Sequence, residues 1–235
     1  AGGGSIAWVQ PDGTLEVGPQ SAGAMPGPAC YQRGGTEPTI SDANLMLGRL
    51  PTDRTLAGGL QLSKEESEKA FEGLAEKLGE GSGSPVQLAD GVLRIAVSKM
   101  AGAVREVSVH RGFDPRDFAL LGFGGAGPMH VFLVAEELSI PQVIVPRFPG
   151  HLSALGQLLA DLRHDFVVAW GGPLGEIEIE DLRTKAGAMR DESTARLIDD
   201  GFAEDRHEHT FSLDMRYVGQ SFTLSIPCDP LSTSW

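Results

Sequence analysis

Apolar residues recur with a helical period in the central part of the chain. The most regular pattern runs from Val86 to about His110, where apolar residues return every three or four positions and predict a long helix. Ser63 and Glu66 form an S-x-x-E capping box, which predicts an amphipathic helix ending near Leu78. A shorter helix over residues 42–50 is predicted to be capped by Ser41 and Asp42.

Shorter apolar runs on either side of this region have the length of strands. Residues 5–9 and 14–17 flank a Pro-Asp-Gly turn and predict a hairpin. Further along, an apolar run at 118–123, a helical pattern at 127–138 and a second apolar run at 142–145 predict a βαβ unit with parallel strands. Another short helix is predicted at 152–159.

The pattern changes after Asp161. Residues 165–170 (DFVVAW) predict a strand, and an acidic helix is predicted from Ile179 to about Asp199. The segments 209–217 and 220–227 alternate between apolar and polar positions, so they are expected to pair as two strands. We therefore expect one domain over residues 1–165 and the start of another over 166–235.

The composition argues against several classes of protein. The chain carries 41% apolar residues and a formal charge of −13, which argues against nucleic acid or an anionic membrane as partner. Two cysteines in 235 residues are too few for a disulfide scaffold, and a cytoplasmic location is expected. The sequence opens on AGGGS without an initiator methionine, which indicates a fragment of a longer protein.

The segment Phe123–Met129 joins a predicted strand to the start of a predicted helix and is rich in glycine. Free N–H groups at a helix start attract anions such as phosphate, and glycine lets a ligand approach the main chain. The alternative is a structural turn without a ligand. Gly122, Gly124 and Gly127 also fit the spacing G-x-G-x-x-G, but no suitable acidic residue follows, so a dinucleotide-dependent oxidoreductase is a weaker hypothesis.

Six segments carry a family resemblance: AGGGS (1–5), SAGAMPGPACYQRGG (21–35), SDANLMLGRL (41–50), RGFDPRDFALLGFGGAGPMH (111–130), PGHLSALGQLLADLRHDF (149–166) and DMRYVGQ (214–220). Together they resemble the hydantoinase A/5-oxoprolinase family. Its members include ATP-dependent hydantoinases and the acetone and acetophenone carboxylases.

The resemblance implies an α/β fold, namely a ribonuclease-H-like lobe of the actin, sugar-kinase and heat-shock-chaperone ATPase superfamily, followed by the start of an α+β C-terminal domain. Two groups of residues would contact ATP through their main chain. They are Gly124, Gly125, Ala126 and Gly127, and more weakly Gly3, Gly4 and Ser5. The family's first phosphate loop has no counterpart here, so the isolated chain is expected to bind ATP poorly and to be inactive.

The resemblance also implies a reaction. Family members transfer the γ-phosphoryl group of ATP to the carbonyl oxygen of a cyclic amide such as hydantoin or 5-oxoproline, and water then opens the ring. Mg²⁺, a hydantoinase B-type partner subunit or domain, and an oligomeric assembly are implied as well. A subunit of an ATP-dependent carboxylase and a non-catalytic assembly module remain as alternatives.

Other candidates have a functional and a structural interpretation. Asp42 is either a metal ligand or a helix cap, and His130 either polarises a ligand or is a buried structural residue. Cys30 is a possible nucleophile, but no histidine is adjacent, which favours an inert buried thiol.

Charged clusters elsewhere are expected mainly to form ion pairs. Asp114, Arg116 and Asp117 predict a surface charge network, and a cluster at 161–165 resembles a metal or acid/base site but is expected to pair internally. His207 and His209 are either metal ligands on one strand face or part of a solvated face. Arg216, Tyr217 and Gln220 belong to a family motif and are expected to pack against the ATPase lobe.

Overall fold

The computed structural model describes residues 2–232, with Ala57 described by its main chain alone. The chain is α/β and divides into two compact units, Ala1–Ala160 and Asp161–Trp235. The first unit contains strands β1 (Ser5–Val9), β2 (Leu15–Ser21), β3 (Ala119–Leu121) and β4 (Gln142–Ile144) and helices α1 (Ile40–Met46), α2 (Lys64–Leu78), α3 (Pro85–Ser108), α4 (Gly127–Leu138) and α5 (Leu152–Leu159). The second contains α6 (Ile179–Asp199), β5 (Phe211–Met215) and β6 (Leu224–Cys228).

The predicted N-terminal hairpin is present. Strands β1 and β2 pair antiparallel, with Ala7 opposite Val17. The turn closes through a hydrogen bond of 2.8 Å from the N–H of Gln10 to the carbonyl of Thr14, and Gly13 takes the left-handed conformation there with φ of +87°.

Helix α1 begins earlier than predicted, and its cap is a different residue. The side chain of Thr39 accepts a hydrogen bond from the N–H of Asp42, and the Asp42 carboxylate accepts one from the N–H of Thr39. This reciprocal pair is a capping box in which Asp42 is the third helical residue, not the cap. The helix ends at Met46, before Gly48 with φ of +71°.

The caps of the next two helices explain where they begin. Ser63 caps α2 as predicted, but the carboxylate of Glu66 pairs with Lys69 and does not complete the box. Ser84 and Gln87 form a complete capping box at the start of α3, which the sequence analysis did not identify. The predicted long helix is confirmed as α3, which is also the longest helix among the described residues, and a 3-10 turn over Val109–Arg111 follows it.

Helix α3 separates two hydrophobic clusters. One of its faces packs with α1, α2 and the hairpin around Phe71, Ile40 and Val92, which are at most 1% exposed. Its other face packs against α4 through Leu93 and Val97. The first unit is therefore built around this helix, with one cluster next to each of the regions expected to contact ATP.

The predicted βαβ unit is confirmed. Strands β3 and β4 run parallel, with Leu120 opposite Val143, and α4 connects them with the predicted bounds. Each strand is only three residues long, shorter than its apolar run. The order strand, glycine loop, helix and strand places the glycine loop at the carboxyl end of β3.

The second unit confirms the acidic helix and the antiparallel pair β5–β6. The strand predicted at 165–170 is wrong. This segment pairs with no strand among the described residues, and Val167 is 91% exposed, because no neighbouring strand offers a ladder of hydrogen bonds. Nowhere in the described part of the chain is a helix both long and apolar enough to span a membrane.

Candidate functional site: a glycine loop at the start of helix α4

The loop between β3 and α4 is fastened at two points. The N–H of Gly122 donates to the carbonyl of Ile144 at 2.9 Å, and the N–H of Gly124 donates to the carbonyl of Pro149 at 2.8 Å. Both acceptors lie at or beyond the end of β4. The loop is therefore held against the neighbouring strand and has a defined shape.

Two of its glycines are required by the chain itself. A Cβ added to Gly122 would lie 2.9 Å from the Cβ of Val131, so this glycine allows α4 to pack closely on β3. Gly124 has φ of +79°, a left-handed conformation that other residues adopt at a cost. These two positions need no ligand to account for them.

Gly125 and Gly127 differ from these. A Cβ at either position would meet no atom within 4 Å, and neither residue has a positive φ. The N–H groups of Gly125, Ala126 and Gly127 also have no hydrogen-bond acceptor among the described residues. The result is bare main chain with free donors at the positive end of the α4 dipole, an arrangement suited to an anion.

The turn Gly2–Ser5 lies against helix α1. The N–H of Ser41 donates to the carbonyl of Gly3 at 2.8 Å, and a Cβ at Gly3 would lie 2.6 Å from the Ser41 hydroxyl oxygen. A Cβ at Gly4 would lie 3.0 Å from the hydroxyl oxygen of Ser21. Ser5 closes the turn, since its Oγ accepts from the N–H of Gly2 at 3.2 Å. Protein atoms thus occupy the space beside these glycines.

Asp42 is fully buried and is the centre of a hydrogen-bond network. Its carboxylate oxygens accept hydrogen bonds from five donors: the N–H groups of Ala29, Cys30 and Thr39 and the hydroxyls of Thr39 and Ser67. The distances run from 2.7 to 3.3 Å. This donor set favours a structural role, because N–H and O–H groups take up the lone pairs that a metal would need.

His130 connects α1 to the glycine loop. Its Nδ1 lies 2.9 Å from the carbonyl oxygen of Ala126, and its Nε2 lies 3.1 Å from Nδ2 of Asn44. Asn44 Nδ2 also donates to the carbonyl of Ile40 at 2.8 Å. Because an amide nitrogen can only donate, Nε2 of the histidine is the acceptor and Nδ1 carries the proton. Burial lowers the pKa of His130, which favours the neutral ring.

Two further candidates in the first unit behave as structural residues. Cys30 is fully buried, and burial raises the pKa of its thiol well above the ordinary value, so the thiol is inert. Arg116 forms a bidentate ion pair with Asp114 at the surface, and its hydrogen bonds lower the pKa of Asp114 to about 2. Two of the three residues of the predicted surface network therefore form an ion pair with each other.

The candidates of the second unit form local pairs. Arg163 pairs with Asp165 at 2.6 Å as expected, but His164 pairs with Asp200, directly after α6, at 2.5 Å and not within its own cluster. The rings of His207 and His209 are half-buried, with centroids 6.1 Å apart.

Each of these two rings has a protein partner. His207 bonds the carbonyl of Phe202, and His209 bonds the hydroxyls of Ser193 and Thr194. Both rings are therefore half-buried and bonded to protein atoms, and not on the fully solvated face that was expected, because α6 and the carbonyl of Phe202 lie beside them. Within residues 2–232, no group of three His, Cys, Asp or Glu side chains is arranged to hold a metal ion.

Three residues that hold candidate site residues in place were not predicted from the sequence, namely Asn44, Thr39 and Ser67. All seven residues of α1 are buried, but its sequence, ISDANLM, also contains Ser41 and Asp42, so the pattern of residues does not single out Asn44. Its partner His130 is 86 positions away in sequence, and no local pattern indicates that contact.

The chain is similar to known proteins over most of its length. The family model described as hydantoinase/oxoprolinase matches residues 1–166. The alpha subunit of a caprolactamase from Pseudomonas jessenii is 41% identical over all of this chain and 34% of its own length. The gamma subunit of an acetophenone carboxylase from Aromatoleum aromaticum is 35% identical over 94% of this chain and 31% of its own length.

A solved structure agrees with these matches. The crystal structure of the ATP-dependent caprolactamase from Pseudomonas jessenii superposes with a TM-score of 0.75 at 39% identity, covering 97% of this chain and 33% of that one. The chain belongs to the hydantoinase/oxoprolinase family, and it spans about a third of the length of these relatives.

Proposed function

We propose that the protein containing this chain is an ATP-dependent hydrolase of cyclic amides and that the loop Phe123–Gly127 contacts the nucleotide through its main chain. The observation that carries this proposal is the open space beside Gly125 and Gly127, together with the free N–H groups at the start of α4. Nothing inside the described chain requires glycine at these two positions, whereas a closely bound ligand would.

The residues present fit a nucleotide. Bound ATP would supply a phosphoryl group that converts an unreactive amide carbonyl into a better electrophile. The main-chain donors at Gly125, Ala126 and Gly127 would position and partly neutralise an anionic or polar part of the ligand. The ribonuclease-H-like character of the ATPase lobe and the contribution of Gly3, Gly4 and Ser5 are part of the same proposal.

The residues present do not fit Mg²⁺. Asp42 uses its oxygens for five protein donors, and the described residues form no other acidic cluster suited to a metal. We therefore assign no role in the reaction to a metal ion held by the described residues. The metal role of Asp42 remains a prediction, and the network around it supports the structural alternative.

A carboxylase activity is the second candidate, because an acetophenone carboxylase subunit is 35% identical to this chain. The names of both relatives mark them as subunits, so we also propose that the active form contains a further subunit or domain of hydantoinase B type. The higher identity to the caprolactamase subunit favours the hydrolase.

The test uses the longest natural polypeptide that contains this sequence, with any subunit that copurifies. Release of phosphate from ATP is measured with caprolactam, hydantoin or 5-oxoproline, and separately with acetophenone and bicarbonate. Stimulation by a cyclic amide with ring opening supports the hydrolase. Stimulation only by the ketone with bicarbonate establishes the carboxylase instead.

The site itself is tested by Gly125→Val. We expect ATP affinity, measured by calorimetry, to fall by about a hundredfold or more, because the side chain would occupy ligand space. The matched control is Gly102→Val on the exposed side of α3, where a Cβ also meets no atom within 4 Å. Equal ATP affinity in Gly125→Val and the control would remove this loop from the nucleotide site.

A further inference from the structure

The peptide between Ala126 and Gly127 opens helix α4, and its carbonyl accepts a hydrogen bond from the N–H of Met129 at 3.1 Å. Glycines lie at 125 and 127, on both sides of Ala126, so the chain around this peptide has few other restraints. A trans peptide is planar, so the carbonyl of Ala126 and the N–H of Gly127 point in opposite directions. If this peptide turned over, a carbonyl oxygen would replace a donor at the proposed anion site.

His130 adds a side-chain hydrogen bond to the same carbonyl. Its Nδ1–H donates to the Ala126 oxygen at 2.9 Å from the next turn of α4, which reinforces the orientation in which that carbonyl is directed into the helix. The N–H of Gly127 then points away from the helix. The ring itself is 3% exposed, so it cannot lie in the solvent-open space beside Gly125.

Asn44 determines which nitrogen of His130 carries the proton. Its amide donates both to the Ile40 carbonyl and to Nε2 of His130, which leaves the other ring nitrogen as the donor. This orientation has a cost, because Oδ1 of Asn44 is buried and has no partner among the described residues. A buried acceptor left without a donor at this position is consistent with a requirement for the amide N–H groups.

We propose that Asn44 and His130 are positioning residues for nucleotide binding, which reinforce the orientation of the Ala126–Gly127 peptide with its N–H outward. This inference rests on the proposed function, since it assigns these residues to the same loop. Helix α1 then serves both candidate regions, because Ser41 bonds Gly3 and Asn44 reaches the loop through His130.

The test compares two replacements of His130 in the longest natural polypeptide. In His130→Asn the side-chain amide reaches the position of Nδ1 and can still donate to Ala126. In His130→Gln it reaches the position of Nε2 and loses that bond. We expect His130→Gln to weaken ATP binding about tenfold, the equivalent of one hydrogen bond, and His130→Asn to stay within about twofold of the parent.

Thermal unfolding separates positioning from general stability. A lower Tm in His130→Gln with unchanged ATP affinity would show a merely structural role and would overturn the inference. A ¹⁵N NMR spectrum of the parent should show the Nδ1–H tautomer of His130, and an Nε2–H tautomer would also overturn it.

The two proposals can fail separately. Loss of ATP binding in Gly125→Val with normal binding in His130→Gln overturns the positioning role alone. No ATP binding by the parent polypeptide overturns the proposed function and the inference together.

Discussion

The turn Gly2–Ser5 and the loop Phe123–Gly127 are both rich in glycine, but the space beside their glycines differs. The turn contacts helix α1, and the loop contacts His130. Hydroxyl groups of Ser41 and Ser21 fill the space beside Gly3 and Gly4. In the loop, the space beside Gly124, Gly125 and Gly127 is open, and only Gly122, directly before the loop, has such a neighbour. Glycine content alone therefore does not identify a binding site. The informative property is whether protein atoms already occupy the space that a side chain would take.

The largest loss of stability is expected from substituting Asp42, the centre of the hydrogen-bond network beside α1. Asp42→Asn replaces a buried carboxylate that accepts five hydrogen bonds, so one amide nitrogen would face N–H or O–H donors. We expect the free energy of unfolding to fall by about 3–5 kcal/mol, measured by urea denaturation. Asp53→Asn is the control, because that side chain is 82% exposed, and its effect is expected within about 0.5 kcal/mol. A small loss in Asp42→Asn would show that the network is not what holds α1.

A glycine-to-valine substitution in each of the two regions tests directly whether the space beside the glycine is filled or open. Gly3→Val should destabilise the protein by about 1–3 kcal/mol, because Ser41 is buried and must move. Gly125→Val should leave stability within about 0.5 kcal/mol. Adding Ser41→Ala to Gly3→Val should recover part of the loss, since it removes the clashing oxygen. Equal destabilisation by the two valines would contradict the distinction between filled and open space.

The smallest expected effect is on how stability depends on pH. Burial lowers the pKa of His130 in the folded state, so on acidification the unfolded chain takes up a proton at this residue before the folded chain does. The contribution of His130 to stability is therefore present above the ordinary histidine pKa and is lost as the pH falls through that range. His130→Gln should lose less stability than the parent between pH 7.5 and about pH 5.5. Identical slopes would mean that the buried ring does not titrate as inferred.

Much of the local structure was predictable from the pattern of residues. The hairpin, the helices α2 to α6, the βαβ unit and the pair β5–β6 were all expected, because their periodicity or turn residues are visible within short windows. The bounds of α4 and α5 agree with those expected. The cap of α1 was misassigned because Thr39 and Asp42 cap the helix together, and a list of preferred cap residues does not distinguish the two.

The remaining errors concern contacts between distant residues. The segment 165–170 has the composition of a strand, but a strand needs a partner and the second unit supplies none there. His164 was expected to pair with its sequence neighbours, but Asp200 lies closer in space. Both outcomes depend on which elements the fold brings together.

The sequence by itself determined the family, the order of most elements and the location of a glycine loop before helix α4, because each of these is written in adjacent residues. The tertiary structure decided which glycines have protein atoms in the space beside them. It also placed Asp42 at the centre of a hydrogen-bond network and brought Asn44 to His130, 86 positions away in sequence. The physical reason is that periodicity and capping act over a few residues, whereas free space and hydrogen-bond partners are set by packing between segments far apart in the chain.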